Sequence, residues 1–237
     1  MCCTRWYKTA VGRFINEDTY EGKITNPLSL NLDTYVHNNP LIYVDPSGHK
    51  VWLIHGTFST GDTWTPDFVK YVEGLFNESS EKLNWTGKNS TGARSNAAEE
   101  SINKVYEWHS KNPDEPIRLV GHSHGGNVAI LLANLLEKKG KKVEILITVA
   151  NPVREYKLDT KVGQHIQMYN NRDSVQMDMG GKWWRLGFGS TSTRKFKGAD
   201  NVRAKDGETG SKIEAHSTMH SNVDIWKKYI EPILKLK

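Results

Sequence analysis

From residue 50 onward, short apolar runs alternate with stretches in which apolar side chains recur every three or four positions. Val51-Trp52-Leu53-Ile54 is a compact apolar run ending at His55-Gly56, the pattern of a buried strand followed by a turn. Thr65-Pro66-Asp67 then opens a helix, with Thr65 as N-cap and Pro66 in the first turn. Phe68, Val72 and Phe76 share one face of it. Residues 77–96 are polar and rich in Gly, Asn and Ser, with Leu83-Asn84-Trp85 as a short strand-like piece. A second helix carries Ala98, Ile102 and Val105 on one face. Ile117–Val120 is the next strand. Residues 124–138 are helical in pattern and apolar nearly all round, as expected of a buried helix. Val143–Val149 and His165–Tyr169 are further strands. Residues 178–211 are basic and poorly periodic, with Asn201–Ala204 as one more strand. A closing helix from about Ser221 to Tyr229 places Val223, Trp226 and Ile230 on one face, with His216 and His220 in a loop before it.

Strands alternating with helices predict a mostly parallel sheet covered by helices on both faces. Residues 1–49 read differently. They are rich in Asn, Pro, Gly, Tyr and Thr and end in the turn-flanked run Asn38 to Gly48, a small β or irregular segment. Two units are therefore expected, 1–49 and 50–237.

Gly121-His122-Ser123-His124-Gly125 lies between a predicted strand and a predicted helix. Gly-x-Ser-x-Gly in that context is a nucleophile elbow, a sharp turn that lifts a serine hydroxyl above the sheet. The flanking glycines remove Cβ atoms from a crowded turn, and the helix N-terminus favours developing negative charge. Ser123 is the expected nucleophile. An oxyanion hole needs two backbone donors. The N–H of His124 is one, and the N–H of Thr57, in the loop after the first strand, is the other. The acid is expected at a strand end after the elbow helix, where Asp173 stands, with Asp178 as the alternative. The base is expected late in the chain, at His216 or His220, with His216 favoured. His55, His122, His124 and His165 read as hydrogen-bonding residues.

Composition changes this picture little. The 237 residues carry a formal net charge of +5, which mildly favours an anionic surface. No basic run interleaved with aromatics suggests a nucleic-acid reader. Cys2 and Cys3 are adjacent and suit neither a disulfide framework nor a metal site, so no metal or cofactor is expected. The N-terminus lacks the apolar stretch of a signal peptide, and no apolar run is long enough to span a bilayer.

Residues 50–237 resemble bacterial lipases and esterases of the α/β-hydrolase superfamily, through His55-Gly56-Thr57, Gly121 to Gly126 and Asp173-Ser174-Val175. Trp85 to Asn89, with Arg94, looks like a loop that precedes the elbow in such lipases. The resemblance implies a carboxylester hydrolase acting on a lipid or small ester. An amidase or acyltransferase shares the same acyl-enzyme chemistry, and a non-catalytic binding module is the reading from another class. Trp183-Trp184, set among basic residues, would suit a membrane interface or a core.

Residues 5–48 look like the C-terminal end of an Rhs/YD-repeat core, through Gly12 to Asp18, Tyr35 to Pro40 and Tyr43-Val44-Asp45-Pro46-Ser47-Gly48, with His49 where leucine is more usual. That resemblance implies a C-terminal effector of a larger secreted protein, with an immunity protein as partner.

Overall fold

The structure is a computed structural model, and it describes residues 50–153, 156–178 and 193–236 together with two short strands, β1 (Tyr7–Lys8) and β2 (Arg13–Phe14), which pair antiparallel. The main body runs β3 (Lys50–Ile54), α1 (Pro66–Phe76), β4 (Ser79–Leu83), α2 (Thr91–Lys111), β5 (Ile117–His122), α3 (His124–Lys138), β6 (Val143–Val149), β7 (Gln164–Tyr169), α4 (Val175–Asp178), β8 (Asp200–Arg203), α5 (Lys212–Ser221) and α6 (Val223–Tyr229). Its six strands form one parallel sheet in the order β4-β3-β5-β6-β7-β8.

The two-residue repeat of a strand sends neighbouring side chains to opposite faces, and β3 shows it directly. Trp52 and Ile54 join the core made with Ala98, Ile102 and Val105 of α2 and Val128, Leu132 and Leu136 of α3. Val51 and Leu53 join the other core, made with Phe68, Val72 and Phe76 of α1 and Ile225 and Trp226 of α6. Strands covered on both faces read as continuous apolar runs, and every residue of β5 and β7 is buried.

The helix ends follow the local sequence. Thr65 caps α1 by accepting from Phe68 N, Ser90 caps α2 by accepting from Ala93 N, and Ser211 forms a capping box with Glu214 on α5. Two expectations are corrected. The strand-like piece at Leu83–Trp85 ends at Leu83, and β4 instead runs back to Ser79, as the parallel ladder to Lys50–Ile54 requires. His216 and His220 are not in a loop. They lie on α5, which the capping box starts and which buries Ala215 and Met219.

Strand order sets the position of the site. After β4 the chain crosses to the far side of β3 to make β5, so the order reverses between β3 and β5. In open α/β sheets the crevice at such a reversal, beyond the carboxyl ends of the strands, receives the ligand. The loop after β3 and the turn after β5 meet there. Among the described residues, no helix is long and apolar enough to cross a membrane.

Candidate active site

Ser123 occupies the turn between β5 and α3 with φ 52° and ψ −131°. This is a left-handed φ that a residue bearing a Cβ adopts only where the surroundings enforce it. They do so tightly. A Cβ on Gly121 would lie 2.5 Å from the Gly125 carbonyl oxygen, and one on Gly125 would run into the carbonyl oxygens of Ile54 and His55. Ser123 N donates to Val149 O at 2.8 Å, which ties the elbow to β6. The hydroxyl does not cap α3.

The loop after β3 packs against this turn. A Cβ on Gly56 would come within 2.9 Å of Ser123 Cβ, so Thr57 follows the point of closest approach. His124 is the first residue of α3, at the positive end of the helix dipole. His55 holds the loop from beneath. Its Nδ1 lies 2.9 Å from Gly56 O, its Nε2 accepts from Trp85 N at 3.2 Å, and its carbonyl accepts from Trp85 Nε1 at 2.8 Å. The two rings stack. Trp85 therefore braces the loop after β3 through His55. Arg94 is buried in the first turn of α2, donating to Tyr156 Oη at 2.7 Å and to Asn89 Oδ1 at 3.2 Å.

Asp173 follows β7 and is fully buried. One carboxylate oxygen accepts from Gln176 N at 2.9 Å, and the other accepts from His216 Nδ1 at 2.8 Å. With Nδ1 donating to the carboxylate, Nε2 of a neutral His216 carries the lone pair that a base needs. Asp178 closes α4, five residues further on. His216 is brought to the elbow by His122, whose Nε2–H donates to the His216 carbonyl at 3.2 Å and whose ring lies 4.9 Å from the His216 ring. His220 is committed elsewhere. Its Nε2 faces Thr63 Oγ1 at 2.8 Å and Thr63 O at 3.0 Å, and its ring stacks on His122 at 4.1 Å.

Burial pushes His122 well below the usual histidine range, and the neighbouring His220 and His216 add to that. Burial likewise lowers His220 and His55. These rings are neutral hydrogen-bonding elements at neutral pH. His165, at the opposite end of β7, is lowered to about 4 by burial and faces Thr148 Oγ1 at 3.0 Å. Among the described residues, no group of three or more His, Cys, Asp or Glu side chains is arranged to hold a metal ion.

Sequence reasoning missed Asn170. Its Oδ1 accepts from Asp173 N at 2.7 Å, while its Nδ2 donates to Ala215 O at 2.8 Å and Gly207 O at 3.2 Å. One amide thus ties the Asp173 loop to the helix that carries His216. In sequence Asn170 is only one of several turn residues after a strand, and only the contact with α5 distinguishes it. Gln176 was missed too; it donates its backbone N–H to Asp173 and its side-chain amide to Asn151 O. Trp183 and Trp184 lie outside the described residues, as does nearly all of 5–48, on which the Rhs/YD-repeat resemblance rests.

Comparison with known proteins gives the same architecture. A PGAP1-like alpha/beta domain matches residues 93–223. Carboxyl esterase 2 from the mycorrhizal fungus Tuber melanosporum aligns over 80% of this chain and 78% of its own, with 13% identity and a TM-score of 0.51. The mature Bacillus licheniformis lipase BlEst2 aligns over 80% of this chain and 94% of its own, with 12% identity and a TM-score of 0.48. The RedJ thioesterase of the prodiginine pathway in Streptomyces coelicolor aligns over 49% of this chain, with 16% identity and a TM-score of 0.37, and the present chain spans about half of it, 48%. No curated protein matches the chain. With the elbow, the parallel sheet and a match over more than half of the 237 residues, the chain belongs to the PGAP1-like alpha/beta domain family and has the α/β-hydrolase fold.

Proposed function

We propose that this protein is a serine carboxylester hydrolase that works through an acyl-enzyme. The observation that carries the reading is the buried 2.8 Å contact between His216 Nδ1 and Asp173 Oδ2 on the helix that His122 ties to the Ser123 elbow. Ser123 Oγ attacks the ester carbonyl carbon as His216 Nε2 takes its proton. The carbonyl π pair moves to oxygen, where the N–H groups of Thr57 and His124 stabilise the oxyanion. Collapse expels the alcohol, which takes the proton from His216 Nε2 and leaves Ser123 acylated. Water, deprotonated by the same nitrogen, then releases the acid and restores Ser123. Asp173 stays ionised, holding the tautomer and stabilising the imidazolium.

A lipid ester is the substrate class that the surface favours. Three large apolar side chains are strongly exposed among the described residues, and two of them flank these elements. Phe58, 78% exposed, follows Thr57, and Ile213, 69% exposed, lies one turn before His216. Phe58 keeps that exposure at a left-handed φ of 57°, with its N–H donating to Gly87 O at 2.9 Å. Apolar groups held out at the rim of a site suit contact with a membrane surface, as does the net charge of +5. An amidase or acyltransferase would use the same groups. The Rhs-type resemblance of the sequence supports reading the catalytic unit, 50–237, as the C-terminal effector of a larger secreted protein countered by an immunity protein, with 1–49 as the core remnant.

The test is hydrolysis of p-nitrophenyl esters from acetate to palmitate, and of phosphatidylglycerol and phosphatidylcholine vesicles, by wild type beside Ser123→Ala. Serine-dependent fatty-acid release from vesicles supports the lipid reading. Serine-dependent activity confined to short esters narrows it to a soluble esterase. Absence of serine-dependent ester cleavage overturns it.

A further inference from the structure

We infer that Arg194 is a positioning residue for Asp173, holding the acid loop through its backbone. The inference rests on the catalytic reading above. Residues 170–173 leave the end of β7 and must place a carboxylate against His216 without further strand pairing. The guanidinium of Arg194 collects three carbonyls from this loop. Its Nε donates to Asn170 O at 2.8 Å, and its Nη2 donates to Asn171 O at 3.1 Å and to Asp173 O at 2.6 Å. A planar fork with a fixed set of donors can gather several carbonyls at once, which a flexible ammonium cannot do.

Arg194 is itself anchored. Its own carbonyl accepts from Gln167 Nε2 at 2.9 Å and from Gln176 Nε2 at 3.3 Å. Both glutamines are fully buried, and both also donate to Asn151 O, just beyond β6. Thr193 and Val153 exchange backbone hydrogen bonds beside this point. The bracket therefore joins the loop after β6, the strand β7 and the acid loop. Asn170 fixes the acid loop from the side of α5, and Arg194 fixes it from the opposite connection. Removing the guanidinium leaves the sheet and elbow in place and frees three carbonyls of the segment that aims Asp173.

The experiment compares wild type, Arg194→Lys and Arg194→Ala in the full chain, with thermal melts as a check on folding. Turnover and KM are measured on a soluble p-nitrophenyl ester. The far-downfield proton signal of the His216 Nδ1–H is recorded without substrate, in these proteins and in the same substitutions on a Ser123→Ala background. Small misplacements of reacting groups cost up to about 100-fold in rate. The expected result for Arg194→Ala is a 10- to 100-fold lower kcat, KM within about twofold, a weakened downfield signal and partial rescue by sub-denaturing guanidinium ion. Arg194→Lys is expected to recover little, and it carries the comparison if the alanine protein does not fold. An unchanged signal with unchanged kcat overturns the inference. So does a raised KM at constant kcat, which would make Arg194 a substrate contact. Because the proton signal is read without turnover, it answers for Arg194 even if the hydrolase reading fails.

Discussion

His216 Nδ1 lies 2.8 Å from Asp173 Oδ2, and the carboxylate that receives it has no exposure to solvent. The pair joins two elements 43 residues apart in sequence. Ser123→Ala is expected to lower kcat by about 10⁴–10⁶, and His216→Ala by a similar factor, because triad members act as a unit. Asp173→Asn should cost about 10⁴ by stabilising the wrong imidazole tautomer. His220→Ala should keep activity within about tenfold, since its Nε2 is turned to Thr63. Steady-state kinetics on one soluble ester checks all four. A His216→Ala protein with full activity would hand the base role to His220.

The elbow has no room for a methyl group. Gly125→Ala puts a Cβ against the carbonyl oxygens of Ile54 and His55, which belong to backbone and cannot swing aside. Overpacking of this kind costs about 1–3 kcal/mol or more. The expected outcome is a lower denaturation midpoint together with loss of activity, read by urea unfolding and ester turnover on the same preparation.

Away from the site, Arg118 on β5 is paired with Glu78 and with Glu144, and its guanidinium lies over the Phe76 ring at 5.3 Å. Glu78 is only 1% exposed. Arg118→Ala should destabilise the fold by about 3–5 kcal/mol, because it withdraws the cation from a buried carboxylate. Replacing Arg118 and Glu78 together by apolar residues of similar size should cost much less. Denaturant melts of the single and double variants make the comparison.

His165 gives the pH dependence a sign. Its folded value is lowered from 6.5 to about 4, so the unfolded chain binds a proton that the fold rejects. Its contribution is fully present above pH 6.5 and is lost as pH falls toward 4, by about 3 kcal/mol in total. Burial lowers His122, His220 and His55 in the same direction. Thermal melts should therefore fall steadily below pH 6.5, and His165→Gln should flatten part of that slope.

Phe58→Asn should separate stability from interfacial activity. Asn tolerates the left-handed backbone that strains Phe, so the melting temperature should stay level or rise. Hydrolysis of phosphatidylglycerol vesicles should fall roughly tenfold, since burial of an aromatic side chain in lipid is lost, while short-ester turnover should hold within about twofold. Equal vesicle activity in both proteins would remove Phe58 from any lipid contact.

Much of this was legible in the sequence because the signals are local. A continuous apolar run bounded by turn residues, such as Val51–Ile54, reads as a strand covered on both faces. Ser123 stood out because its turn needs glycine at both flanks within five residues, and Asp173 because it closes a buried strand. The position of His216 on a helix was hidden, because α5 has no clear apolar stripe and is stabilised by the Ser211–Glu214 capping box and by tertiary burial of Ala215 and Met219. The sequence by itself determined the strand and helix alternation, the elbow and a short list of acids and bases. Tertiary structure set His216, which the sequence already favoured, against Asp173 and turned His220 to Thr63, and it alone brought in Asn170, Gln176 and Arg194. The contacts of His216 with Asp173, of Asn170 with Ala215 and of Arg194 with Asp173 join segments far apart in the chain, and no periodicity within a segment records such a bond.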